Sequence, residues 1–277
     1  MQPTVETRSG RLAGVSETGV SRFLGIPFAE PPVVELRWRP PVQEQPWQGT
    51  RDATRYGTSA PQAEVSGLTR LIGVSGGPTN EDCLYLNVWT PATDAGKRPV
   101  MFWVHGGANT IGSGAQPRFN GEFLTRRGDV VVVTCNYRLG ALGFLHAPEL
   151  GATGNEALLD LIAGLRWVRE NIDRFGGDPD HVTLFGQSAG GFNIGALMAM
   201  QEARGLYHKA IPMSGSISMA RSAAAARETT AALADHFGGM EKLRAVASAD
   251  ILKWQLATAH GYGAVVDGTL IARPIEE

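Results

Sequence analysis

A serine bracketed by glycines, Gly186-Gln187-Ser188-Ala189-Gly190, is the segment of this 277-residue sequence best suited to covalent chemistry. The apolar run Val182-Thr183-Leu184-Phe185 leads into it, and a helix-forming stretch from Phe192 to Met200 leads out. A Gly-x-Ser-x-Gly turn between a buried strand and a helix holds its serine in a tight, strained conformation, with the hydroxyl raised above the sheet where it can attack an acyl carbon. The same pattern recurs at Gly73-Val74-Ser75-Gly76-Gly77, but there Pro78-Thr79-Asn80 would stop a helix and only Leu71-Ile72 precedes. Ser75 therefore reads as a surface-loop residue and Ser188 as the nucleophile.

Acyl transfer also needs donors aimed at the developing oxyanion, commonly backbone N–H groups in a glycine-rich loop after a strand. His105-Gly106-Gly107-Ala108 follows the run Val100-Met101-Phe102-Trp103-Val104 and supplies such a loop. The expected hole consists of the N–H groups of Gly107, Ala108 and Ala189. Taken alone, the Gly-Gly pair would be a plain strand-ending turn; its pairing with the serine turn favours the oxyanion reading.

A general base is harder to find. His208, His236 and His260 follow the serine, with Asp235, Asp250 and Asp267 as acids. His208 lies in a turn and His236 ends a helix, so both read as surface or capping residues. His260, between Ala259 and Gly261, is the one local substitute, and His105 reads as structural.

The elements that must carry these residues alternate between strands and helices after an all-strand beginning. Val5 to Arg8 and Arg11 to Val15 read as an antiparallel hairpin around Ser9-Gly10, and Ser21 to Leu24 as a further strand. Leu84 to Trp89, Val100 to Val104 and Val130 to Thr134 are strands, the last two apolar throughout, as expected of a sheet covered on both faces. Leu158 to Ile172 has helical spacing, with Leu158, Ile162, Leu165 and Ile172 near one face, and Gly176-Gly177 ends it. Lys209 to Gly215 reads as a strand that Pro212 should make short or irregular, and Met219 to Phe237, Glu241 to Val246 and Ala249 to Leu256 read as helical. The expectation is an α/β fold of one domain over residues 1–277, with a mostly parallel central sheet flanked by helices and the nucleophile at a strand's carboxyl end.

Composition narrows the partners. A formal net charge of −2, with no cluster of lysines and arginines, argues against nucleic acid or an anionic membrane surface. No stretch is apolar for the length a bilayer span requires, and Met1 to Thr7 lacks the features of a secretion signal, so a cytoplasmic location is expected. Two cysteines are too few for a disulfide scaffold, no zinc spacing is present, and no cofactor is expected; Cys135 reads as a small core residue.

Seven motifs in order resemble the N-terminal part of a type-B carboxylesterase, the α/β-hydrolase group that includes cholinesterases and bacterial para-nitrobenzyl esterases. They are Phe23 to Pro32, Leu36 to Pro41, Glu81 to Val88, His105 to Ala108, Asn136 to Gly140, Phe175 to Pro179 and the serine turn itself. The resemblance implies a small-molecule ester substrate and a Ser-Glu-His triad acting through an acyl-enzyme. It also implies structural ion pairs Arg37–Glu81 and Arg138–Asp160, for which solvated surface charges are the alternative.

Departures from the family pattern carry expectations of their own. Gln187 stands where a glutamate is usual, which would remove a buried negative charge beside the nucleophile. Asn109 replaces an aromatic residue after the oxyanion loop, opening or polarising one wall of the substrate pocket. The usual partner of Cys83 is missing near Ala60-Pro61-Gln62, so Cys83 should be a free thiol. The sequence ends 89 residues after Ser188, whereas the family's acid and histidine lie on later loops. The expectation is thus an esterase whose last strands and triad partners fall outside these residues, completed by a C-terminal half or by self-association. The alternative is an inactive remnant or binding module on the same fold.

Overall fold

The computed structural model describes residues 2–63, 77–215 and 220–274. Ser75 lies outside them. The N-terminal hairpin forms as expected from β1 (Thr4–Glu6) and β2 (Arg11–Ala13), with Val5 opposite Leu12. Its turn is closed by the Thr7 N–H, which donates to the Gly10 carbonyl. At Gly14 the chain leaves the hairpin for the main sheet, and glycine is required there because a Cβ would sit 2.4 Å from the Arg22 carbonyl oxygen. Strands β3 (Val15–Glu17) and β4 (Val20–Pro27) follow, and β5 (Thr50–Asp52) then adds to the hairpin, parallel to β2.

The remaining elements in chain order are β6 (Tyr85–Thr90), β7 (Arg98–Val104), α1 (Glu122–Gly128), β8 (Val131–Cys135), α2 (Gly140–Phe144), β9 (His146–Ala147), β10 (Ala152–Thr153) and α3 (Glu156–Asn171). After these come β11 (Gly177–Gln187), α4 (Ala189–Ala199), β12 (Lys209–Met213), β13 (Arg221–Ser222), α5 (Ala223–His236), α6 (Ser248–Ala257) and β14 (Val265–Val266). Among the described residues, seven strands make the central sheet in the order β12-β11-β7-β8-β6-β4-β3. The half from β8 to β12 is parallel, and β6, β4 and β3 run antiparallel to their neighbours.

Burial explains why the apolar runs became the sheet's centre. All five residues of β8 are buried, because the strand lies between β6 and β7 with both faces covered. Helix α3 buries Leu158, Leu161, Ile162, Leu165 and Val168 and leaves Arg166 and Arg169 exposed. Each such aliphatic side chain contributes about 1.5–3 kcal/mol by leaving water. A 3-10 turn at Ile172–Phe175 and left-handed Gly176 then end the helix.

Pro212 does not shorten β12: all five residues pair with β11, Pro212 opposite Gly186. Among the described residues β12 is an edge strand, where a missing N–H costs no ladder bond. Its side chains Ile211 and Met213 are 47% and 38% exposed.

Both expected ion pairs are present. Arg138 Nε and Nη2 donate to the two oxygens of Asp160 at 2.8 and 2.7 Å, and both side chains are buried. Arg37 makes the same two-pronged contact with Glu81, and its Nη1 donates to the carbonyls of Arg244 and Val246. Cys83 and Cys135 are buried free thiols. Among the described residues, no helix is long and apolar enough to cross a membrane.

Candidate active site

Strand β11 delivers Ser188 to the carboxyl end of the parallel strands. The residue has φ 56° and ψ −125°, a sparsely populated conformation for a side chain larger than glycine. Surrounding structure holds it there: its N–H donates to the Met213 carbonyl at 2.9 Å, and its own carbonyl accepts from Phe192 at 3.0 Å. The flanking glycines answer to space. A Cβ on Gly186 would come within 2.7 Å of the Val104 carbonyl oxygen, and one on Gly190 within 2.1 Å of the same atom.

The loop after β7 presses against this turn, since a Cβ on Gly106 would lie 2.5 Å from the Gln187 carbonyl oxygen and 3.3 Å from Ser188 Cβ. Gly107 has φ 127° and Ala108 has φ 52°, and the Thr110 and Ile111 N–H groups donate to the Gly107 carbonyl, so the chain reverses here. Among the described residues the N–H groups of Gly107, Ala108 and Ala189 donate to no protein acceptor. Ala189 opens α4, so its N–H is one of the orphan donors at a helix start, at the positive end of the helix dipole. Three unsatisfied donors beside a strained serine are the arrangement that stabilises a tetrahedral oxyanion.

Neighbours to which the sequence reading gave no role at the site fix the loop. Tyr137 donates its hydroxyl to the His105 carbonyl at 2.6 Å and stacks on the His105 ring. Gln62 binds both the N–H and the carbonyl of Gly112, and Asn136 accepts from Ser113 Oγ and the Gly114 N–H.

Asn109 differs from the expected pocket-wall role. It is buried with φ 57°, accepts from Asn193 Nδ2 at 2.9 Å and donates to the Tyr262 carbonyl at 3.3 Å. It therefore ties the loop to α4 and to the segment before β14. Its left-handed backbone suits asparagine, which a pattern of residue types does not reveal. Gln187 also differs, because its side chain is exposed rather than buried beside the serine.

No histidine among the described residues bonds to the Ser188 hydroxyl. His105 is buried, its Nδ1 lies 3.0 Å from the Gly106 carbonyl, and burial pushes its pKa down to about 4. A carbonyl can only accept, so this ring is neutral with Nδ1 protonated and committed. His208 Nδ1 accepts from the Val182 N–H at the far end of β12 from the elbow. His236 packs on Phe237, and His260 stacks on Trp254 with Thr229 Oγ1 at 3.4 Å from its Nδ1. His146 meets the Thr153 carbonyl and His181 lies beside Lys209 Nζ. Asp235, Asp250 and Asp267 make no ion pair with a histidine; Asp267 instead accepts from the Thr269 and Ile271 N–H groups. The geometry brings Ser188 and the three free N–H groups together, with no histidine or acid beside the serine among the described residues.

The strand–turn–helix serine at the carboxyl edge of this sheet defines an α/β hydrolase. A family model described as the carboxylesterase family matches residues 1–276. The chain is 46% identical over 256 residues to a para-nitrobenzyl esterase of Bacillus subtilis, covering 90% of this chain and 52% of that protein. It is 44% identical over 241 residues to a phenmedipham hydrolase of Pseudarthrobacter oxydans, covering 86% and 48%. The crystal structure of a Geobacillus stearothermophilus carboxylesterase superposes with a TM-score of 0.91 at 43% identity, covering 98% of this chain and 57% of that one. The chain belongs to the carboxylesterase family and spans about half the length of the relatives it matches.

Proposed function

We propose that these residues form the nucleophile half of a carboxylic ester hydrolase, with Ser188 as nucleophile and Gly107, Ala108 and Ala189 as the oxyanion donors. The observation that carries this reading is the strained φ of Ser188 next to three unsatisfied N–H groups. Ser188 Oγ attacks the ester carbonyl carbon, the carbonyl oxygen takes the negative charge against the three N–H groups, and the alcohol leaves with a proton from a histidine. Water then attacks the acyl-enzyme to release the acid and restore the serine. No cofactor takes part.

The histidine and its orienting acid come from residues beyond these 277. The similarity to proteins twice as long supports this, as does the engagement of all six histidines elsewhere. The test is Ser188→Ala in the longer protein: kcat for a short-chain para-nitrophenyl ester falls by several orders of magnitude with KM little changed. Full retention of turnover would contradict the assignment. A cytoplasmic setting belongs to the same proposal, supported by two buried thiols in no disulfide; recovery of the protein in a secreted fraction would oppose it.

The exposed edge of β12 bears on the chain in isolation. A strand edge without a partner, on a strand carrying Ile211 and Met213, is a template for pairing with another chain. The 277-residue chain is expected to self-associate, and Ile211→Lys with Met213→Lys to raise the monomer fraction in sedimentation velocity. A monodisperse monomer without those changes would refute this.

A further inference from the structure

The three oxyanion donors come from two separate elements. Gly107 and Ala108 belong to the loop after β7, whereas Ala189 opens α4. Their usefulness depends on how loop and helix are held against each other, because donors stabilise an oxyanion only when all reach one point at about 2.7–3.1 Å.

Two contacts flank the loop donors. On one side Gly106 lies against the nucleophile turn, where a Cβ would meet the Gln187 carbonyl oxygen at 2.5 Å. On the other side Asn109 is bonded to Asn193, whose Nδ2 donates to Asn109 Oδ1 at 2.9 Å. Both residues are buried, and Asn193 stands four residues after Ala189, about one helical turn along the same face of α4. Among the described residues this is the single hydrogen bond between α4 and residues 105–112.

The surroundings dictate how the Asn109 amide is oriented. Its Nδ2 faces the Tyr262 carbonyl, which can only accept, so Oδ1 is the atom turned to the Asn193 donor. The Asn109 carbonyl accepts from the Gly140 N–H at 2.7 Å, so side chain and backbone are both committed. Such bonds are needed here. Ala108 and Asn109 follow each other at φ 52° and 57°, and successive left-handed residues other than glycine persist only where neighbours impose them. The Asn193 amide also lies beside the Tyr137 hydroxyl, which donates to the His105 carbonyl at the start of the loop. One side chain on α4 is thereby linked to both ends of the loop.

We infer that Asn193 is a positioning residue for acyl transfer: it sets the Gly107 and Ala108 N–H groups at the spacing from the Ala189 N–H that a tetrahedral oxyanion requires. The inference rests on Ser188 being the nucleophile. Asn193 acts through Asn109 and the loop, and removing its amide leaves all three donors present but no longer held in register. It also leaves Asn109 Oδ1 buried without its donor, which favours movement of the loop. Loss of a whole oxyanion donor costs about 10²–10³-fold in rate, and loosened spacing costs less.

The test compares acylation of Ser188 in the 277-residue chain by para-nitrophenyl acetate and by its thiono analogue, in which sulfur replaces the carbonyl oxygen. Imidazole serves as base and peptide mass spectrometry as the readout. With either ester the bond from Ser188 Oγ to the acyl carbon forms, para-nitrophenolate leaves and imidazole takes the serine proton. Sulfur is larger and a weaker acceptor, so the preference for the oxygen ester reports the geometry of the hole, which a merely structural residue would not move. Asn193→Ala is expected to slow acylation by the oxygen ester about ten-fold and to lower the oxygen-over-sulfur preference at least about three-fold. Asn109→Gly keeps the left-handed backbone and removes the same bond from the other side, so it decides the matter should Asn193→Ala fail to fold. It is expected to give the same losses, and the double variant no greater ones. Acylation at the unaltered rate in both variants, an unchanged oxygen-over-sulfur preference, or additive losses in the double variant would overturn the inference. Acylation of other residues but not Ser188 in the unaltered chain would overturn the nucleophile assignment, and this inference with it.

Discussion

The 277-residue chain on its own is expected to hydrolyse a short-chain para-nitrophenyl ester at least about a thousand-fold more slowly than the full-length esterases it resembles. The reason lies in proton bookkeeping. A serine hydroxyl is a weak nucleophile until a base accepts its proton, and each of the six histidines in the sequence has other engagements or none near Ser188. What remains is the oxyanion hole and substrate binding, which in triad enzymes retain about 10³–10⁴-fold acceleration over water. Ser188→Ala should therefore cost little in the isolated chain and several orders of magnitude in the longer protein. Brisk turnover by the isolated chain that Ser188→Ala abolishes would show that a base had been rebuilt locally, with His260 the first residue to examine.

Asp160→Ala is expected to destabilise the fold by about 3–5 kcal/mol, because it leaves a buried guanidinium without its counter-charge. Arg138 is 3% exposed and Asp160 is fully buried, and the carboxylate accepts from the Arg138 backbone N–H as well as from two guanidinium nitrogens. Without Asp160 the guanidinium keeps only the Arg39 and Glu156 carbonyls. The pair also anchors the segment Asn136 to Gly140 onto α3, and that segment supports the oxyanion loop through Tyr137 and through the Gly140 N–H bond to the Asn109 carbonyl. Urea unfolding monitored by circular dichroism measures the effect. A change below about 1 kcal/mol would place the pair among weak surface contacts.

The serine turn was legible in the sequence because its glycines serve two functions, one conformational and one of close packing, that few other residues can serve. The apolar strands β7 and β8 were equally legible, since burial on both faces leaves no polar alternation to confuse them. Less could be read where tertiary contacts decide. Strand β5 has three residues, Thr50-Arg51-Asp52, of which only Thr50 favours a strand, and it exists because β2 offers an open edge. Pro212 argued for a short or irregular strand, yet an edge position makes its missing N–H harmless. Asn109 was expected to open or polarise a pocket wall because it replaces the family's aromatic residue; its partners Asn193 and Tyr262 lie 84 and 153 residues away, a distance no local pattern spans. Arg37 likewise gains the Arg244 and Val246 carbonyls from the far end of the chain.

The most direct test of the central claim is peptide mass spectrometry of the 277-residue chain after incubation with para-nitrophenyl acetate and excess imidazole. Free imidazole replaces the missing base, so an acetyl group should accumulate on the peptide containing Ser188 and be lost in Ser188→Ala. Acetylation confined to lysines or to another serine, or unchanged in Ser188→Ala, would contradict the assignment of Ser188 as the nucleophile.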